Sequence, residues 1–176
     1  INGCLVGSEM CIRDRNTGWL IASELIASGI DLSFSPVLDL DQDLSSIIGD
    51  RAFSDQIDIV IECARAFIFG MNEAGMACVG KHFPGHGSIS EDSHLEKPID
   101  RRALNEIENK DLIPFKELIN NLDGIMTAHI LFPDVDERIT TFSKIWIKQI
   151  LREQMKFEGM ILSLIHISEP TRHPLI

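Results

Sequence analysis

Three histidines and a lysine fall within fourteen residues, in Lys81-His82-Phe83-Pro84-Gly85-His86-Gly87 followed by Asp92-Ser93-His94. An imidazole titrates near neutrality and can give or take a proton, and an ammonium donates to hydroxyl and carbonyl oxygens. A lone histidine is more often structural, but a cluster punctuated by Pro and Gly is hard to explain as packing. His129, in Met126-Thr127-Ala128-His129, lies near the end of a later apolar run and can face the same cavity or support it from behind. His82, His86, Asp92 and His94 are also the right donor types for a metal. However, His82 and His86 are separated by Pro-Gly, not by a helical turn that would place both on one face.

The elements that must position these residues alternate. A helical pattern runs from Asn16 or Thr17, possible N-caps, to Gly29, and residues 30–38 form an apolar, β-prone run. Ser54 can cap a second helix, with Asp55 in its first turn and Ile57, Ile61, Ala64, Phe67 and Ile68 at helical spacing up to Gly75. Residues 76–80 read as a short strand, so the histidine cluster directly follows a strand. Residues 103–120 are helical, with Pro114 kinking or dividing them. Residues 124–130 read as a strand, 143–155 as a capped helix and 159–161 as the start of a fourth strand. Apolar strands alternating with helices predict an α/β fold with a parallel sheet, in which loops after the strand C-termini form the active face. Four strands are too few for a closed eight-stranded barrel, and periodicity alone fits half a barrel or a doubly wound fold.

The 176 residues have the length of one domain, and 44% apolar composition suffices for a core. A net charge of −11 argues against a nucleic-acid or anionic-membrane partner. No apolar run reaches the length of a membrane span. The four cysteines form neither a metal pair nor a disulfide framework, which fits reduced thiols in a cytosolic protein.

The two ends share a feature of another kind. One coding string for Leu5 to Asp14, extended by AG and by the last base of the Cys4 codon, has a reverse complement that reads Leu-Ser-Leu-Ile-His-Ile-Ser-Glu-Pro-Thr-Arg, the sequence from Leu162 to Arg172. The string resembles a transposon-end sequencing adapter; a genuine terminal inverted repeat is the alternative. Residues 1–15 and 162–176 are therefore expected to be translated adapter around a native segment, 16–161. Cys4, Cys11, His166 and His173 then carry no functional argument.

Lys81-His82-Phe83-Pro84-Gly85-His86-Gly87 with Asp92-Ser93-His94 resembles the glycoside hydrolase family 3 β-N-acetylglucosaminidases. Phe34-Ser35-Pro36-Val37-Leu38-Asp39, Ile48-Gly49-Asp50-Arg51-Ala52-Phe53 and Asp123-Gly124-Ile125-Met126-Thr127-Ala128-His129 match in order, so the similarity spans residues 16–161. Lys-His-Phe alone also fits related β-glucosidases and xylosidases, which lack the Asp-Ser-His loop.

The resemblance implies an incomplete (β/α)8 barrel of the TIM type, roughly its middle half. It implies hydrolysis of terminal β-linked N-acetylglucosamine by a two-step retaining route, on small carbohydrates such as muropeptides released in cell-wall recycling. It assigns acid/base work to His94, oriented by Asp92, on a loop that Gly87, Ser88, Ser90 and Ser93 suit to movement over substrate. It assigns sugar contacts to Arg51, Lys81 and His82; an ion pair of Arg51 with Asp50 or Asp39 is the structural alternative. His86 is a candidate for shaping and supporting the site. No cofactor or metal is called for. A cytoplasmic location is implied, with a secreted or lipoprotein form open.

The nucleophilic aspartate of the family follows a strand beginning Gly-Val-Ile, in a Ser-Asp-Asp context. Here Gly159-Met160-Ile161 begins that strand and Leu164 stands at the nucleophile's position. The chain as written is expected to be inactive and, with an unclosed sheet, of doubtful independent stability. A catalytically dead sugar-binding relative and a family 3 β-glucosidase are the alternative readings.

Overall fold

The computed structural model describes residues 2–45, 47–88 and 98–163, with side chains from residue 9 onward. Helix α1 (Asn2–Ala27) leads into β1 (Leu32–Ser33), α2 (Ile57–Glu73) and β2 (Ala77–Phe83). Two short helices, α3 (Leu104–Glu108) and α4 (Leu112–Leu118), precede β3 (Gly124–Thr127). Helix α5 (Ile145–Gln154) precedes β4 (Met160–Ser163). The four strands form one parallel sheet in the order β1-β2-β3-β4. Each crossover steps to the next neighbour in the same direction, as in a barrel wall; a doubly wound sheet reverses direction at a switch point. Strand order thus decides between the two architectures that periodicity left open.

Several boundaries differ from expectation for identifiable reasons. Neither Asn16 nor Thr17 caps α1, which begins at Asn2; the Thr17 hydroxyl donates to the Arg13 carbonyl at 2.9 Å, as a threonine inside a helix does. The run 30–38 keeps only two ladder residues, then continues as an extended segment bridged to β2 through Val37 and Lys81. Pro36 within it has no N–H to continue a ladder. Ser54 stands two residues before the N-cap of α2, Gln56, and its hydroxyl accepts the Gln56 N–H at 3.1 Å. Pro114 divides the 103–120 helix by sitting in the first turn of α4, where the missing N–H has no intrahelical partner to lose. Glu106 turns back to accept the Ala103 N–H at 2.9 Å and so closes the start of α3. Helix α5 is wide-turned, with bonds such as Met155 N–H to the Ile150 carbonyl, and Ser143 Oγ caps it by accepting the Trp146 N–H at 3.1 Å.

The core lies between the sheet and its helices. Phe83 at the end of β2 stacks edge-on against Phe115 at 5.6 Å and Trp146 at 6.1 Å, and Trp146 meets Phe132 at 5.1 Å. All four rings are fully buried. At ~2–3 kcal/mol for each large side chain withdrawn from water, this cluster is a strong anchor for the strand end that carries the histidines. Asp123 aligns the other end of the sheet: its Oδ2 accepts the Cys78 N–H at 2.8 Å, and its carbonyl accepts the Met160 N–H at 2.9 Å.

Helices α1 and α2 approach backbone to backbone. A Cβ on Gly18 would run into the Phe67 carbonyl oxygen, and one on Gly70 into that of Arg15. Glycine in a helix interior normally costs ~1 kcal/mol relative to alanine. Here the close contact reverses the sign. Gly70→Ala is expected to lower stability by about 1–3 kcal/mol through forced separation of the helices. Urea denaturation checks this; a gain in stability on substitution would contradict the packing account.

Candidate active site

The chemistry-bearing motif lies one stage earlier than its sequence suggests. Lys81, His82 and Phe83 belong to β2 itself, at its C-terminal end, and the ladder with β3 shifts register between Lys81 and Phe83. The peptide bonds Lys81–His82 and Phe83–Pro84 are both cis. The chain then turns at Gly85, whose φ of +138° few L side chains adopt.

One carboxylate organises this turn. Asp39, 1% exposed, follows the extended segment that continues β1 alongside β2. Its Oδ2 lies 2.7 Å from His82 Nδ1 and its Oδ1 accepts the His86 N–H at 2.8 Å. The His82 N–H is shared between both oxygens at 3.2 and 3.3 Å. Burial works against the Asp39 charge, but the His82 ring and these N–H groups outweigh it and hold the carboxyl below its ordinary range. With ionised Asp39 as the acceptor, His82 carries its proton on Nδ1, and Nε2 is the nitrogen left for a ligand.

Lys81 is half-buried. Burial and then the Arg51 charge push its ammonium below the ordinary lysine value, while Asp39 pulls in the opposite direction. Arg51 ends a short 3-10 turn, Gly49–Arg51, and is exposed. Among the described residues it makes no ion pair; Nη1 donates to the Ile47 carbonyl at 3.1 Å, and Asp39 is engaged by His82 and His86. The ion-pair alternative for Arg51 is therefore corrected. The result is a cationic strand end, with the guanidinium unclaimed by any described carboxylate and open to an oxygen-rich ligand.

His86 is buried, its ring edge-on to His82 at 5.9 Å. His129, half-buried, comes two residues after the end of β3, at the same end of the sheet as the end of β2. Asp92, His94 and Leu164 lie outside the described residues. A cavity of about 220 Å³ opens beside β4, lined by Thr127, Thr141, Phe142, Ile161, Leu162 and Ser163; none of the sequence-predicted contact residues lines it. Among the described residues, no group of three His, Cys, Asp or Glu side chains is placed to hold a metal, and no helix is long and apolar enough to cross a membrane.

Two contributors escape sequence reasoning. Asp39 was legible only as a partner for Arg51, although an aspartate closing an apolar run is a signal for a strand-end acceptor. Asp111, buried beneath Gly85, gave no local signal at all: a Cβ on Gly85 would lie 2.7 Å from that of Asp111.

Because the folded Asp39 carboxyl titrates below the unfolded one, its contribution is present above the ordinary carboxylate pKa of about 3.9 and disappears as pH falls through the lowered folded value. Asp39→Asn is expected to cost about 2–3 kcal/mol at neutral pH. That cost should shrink towards zero on acidification. Denaturation at a series of pH values checks this; a deficit independent of pH would refute it.

Comparison with known proteins agrees with this architecture. The Glycosyl hydrolase family 3 N terminal domain profile matches residues 9–168. The beta-hexosaminidase of Idiomarina loihiensis is 54% identical over 149 residues, 85% of this chain and 45% of that protein. The beta-hexosaminidase of Methylococcus capsulatus is 55% identical over 150 residues, with the same shares of each chain. The crystal structure of NagZ from Neisseria gonorrhoeae in complex with N-trifluoroacetyl-D-glucosamine superposes with a TM-score of 0.84 at 44% identity, covering 87% of this chain and 45% of that one. The chain thus spans a little under half the length of the relatives it matches. A parallel sheet wound in one direction, with a Lys-His pair at the end of its second strand, belongs in that company: the chain is a member of glycosyl hydrolase family 3.

Proposed function

We propose that this chain is part of a retaining β-N-acetylglucosaminidase, supplying its sugar-contact strand and its acid/base segment. The observation that carries the reading is the end of β2, where Asp39 fixes the His82 ring and Lys81 stands within the field of Arg51. Arg51 and Lys81 donate to sugar oxygens, and His82 adds a directional contact through Nε2. Such contacts fix the ring for attack at the anomeric carbon. The N-acyl glucosamine bound by the gonococcal relative supports the choice of sugar.

His94 acts as general acid, protonating the departing oxygen, and then as general base towards water; Asp92 orients its ring and balances the imidazolium. The nucleophilic carboxylate is supplied by native sequence beyond Ile161, since Leu164 occupies the position where the family places it. Muropeptides from cell-wall recycling are the proposed substrates and the cytoplasm the proposed compartment. Leu164 also favours a second reading, a sugar-binding relative without turnover.

The chain by itself is expected to release no phenol from an aryl β-N-acetylglucosaminide. The longer protein obtained by following the reading frame at the source locus past Ile161 is expected to do so with retention of configuration. In that protein His94→Ala should lower kcat by roughly 10²–10⁴-fold with a much smaller change in KM. An unimpaired His94→Ala variant would remove His94 from the acid/base role. Sugar binding without turnover in the longer protein would establish the second reading.

A further inference from the structure

The Pro-Gly turn after β2 lies against two segments from elsewhere in the chain, and its contacts with the first are serial. The His86 N–H donates to Asp39 Oδ1 at 2.8 Å. A Cβ on Gly87 would run into the Leu40 carbonyl oxygen, and Ser88 Oγ accepts from Gln42 Nε2 at 2.9 Å. Residues 86–88 therefore run side by side with residues 39–42. The second segment is the start of α4. There the Ser88 hydroxyl donates to Asp111 Oδ1 at 3.3 Å, Gln42 Nε2 reaches the same oxygen at 3.1 Å, and Gly85 packs on the Asp111 Cβ.

The surroundings of Asp111 reserve it for this contact. It occupies the N-cap position of α4, where an aspartate ordinarily caps the helix, yet its side chain makes no cap bond. It is only 2% exposed, and a buried carboxylate is costly unless donors meet its oxygens. Arg102 Nη1 takes Oδ2 at 2.7 Å, while the rest of the guanidinium holds Asp100 at 2.7–3.1 Å. Burial opposes the Arg102 charge, but Asp100 and Asp111 together hold it protonated. Oδ1 is thereby left for the turn. Lys110 Nζ donates to Gln42 Oε1 at 2.7 Å, so the end of the Gln42 amide that faces Asp111 is the donor.

We propose that Asp111 is a positioning residue for sugar binding: with Asp39 it seats the turn of residues 85–88, and so holds the His82 ring with Nε2 towards the ligand. This role rests on the reading of His82 as a sugar contact. His86 lies between Gly85 and Gly87, and its ring meets His82 edge-on at 5.9 Å. A turn that slid off Asp111 would withdraw the His86 N–H from Asp39 and release the His82 ring. A carboxylate is required because donors meet both of its oxygens; an amide has to turn a donor towards one of them.

The test is calorimetric titration of the longer protein with N-acetylglucosamine. Asp111→Asn should weaken binding by about five- to tenfold, the worth of one directional hydrogen bond. His82→Ala should weaken it at least as much. Adding Asp111→Asn to His82→Ala should cost less than about twofold more, because both act through one contact. Gln42→Ala and Ser88→Ala, each removing one brace of the turn, should show the same dependence on His82 in weaker form. They carry the test if Asp111→Asn does not fold. A purely structural role would lower the number of competent binding sites and leave the affinity of each unchanged. That outcome, wild-type affinity in folded variants, or losses that multiply with His82→Ala would overturn the proposal. If His82→Ala binds as the wild type does, the sugar-contact reading falls and this proposal with it. If His82→Ala weakens binding and the other three variants do not, only the positioning role falls.

Discussion

A negative charge with almost no access to water holds the described site together. Asp39 accepts from the His82 ring, the His82 N–H and the His86 N–H, and so joins the segment that continues β1 to the turn that ends β2. Removing a carboxylate from water is costly, and only a full set of donors offsets that cost. The arrangement is therefore close to all-or-none. If the turn moves, the charge is stranded; while the charge is satisfied, the turn and the ring are fixed. Lys81 inherits its position from the same pair, being the residue that enters the turn.

The sheet and the core make this local arrangement possible. Phe83 sits beside His82 in sequence and is driven into the aromatic cluster with Phe115, Trp146 and Phe132. Three adjacent residues thus face three surroundings: Lys81 the Arg51 side, His82 the buried carboxylate and Phe83 the core. A rigid anchor directly against the reactive groups gives the precision that a site on an unsupported loop lacks. Asp123 does related work at the far end of the strands, where it fixes the register of β2, β3 and β4.

Asp111 repeats the theme on the other side of the Pro-Gly turn. Both aspartates are buried, both accept from more than one segment, and neither serves a helix end or a surface ion pair. Gly85 lets the turn rest against Asp111 while His82 and His86 close on Asp39. The turn is held from two sides by acceptors that come from different parts of the chain, which is how a short segment rich in Gly acquires one conformation.

Much of this was legible in the residues alone. The alternation of strand and helix, the division at Pro114, the capping role of Ser143 and the gathering of Lys81, His82 and His86 all follow from patterns within a few residues. The four motif blocks were enough to name the family. What local reading could not reach were contacts across the sequence. Asp39 and His82 are 43 residues apart and Gln42 and Asp111 are 69 apart. Nothing in the neighbourhood of either aspartate reports its partner. The choice between a barrel wall and a doubly wound sheet was equally hidden, because each strand's pattern is the same in both. The sequence determined which elements form and which chemistry they carry, since periodicity and side-chain type act at short range. The tertiary structure alone decided strand order and the partners of the buried carboxylates, because those depend on which distant segments are stacked together when water is excluded.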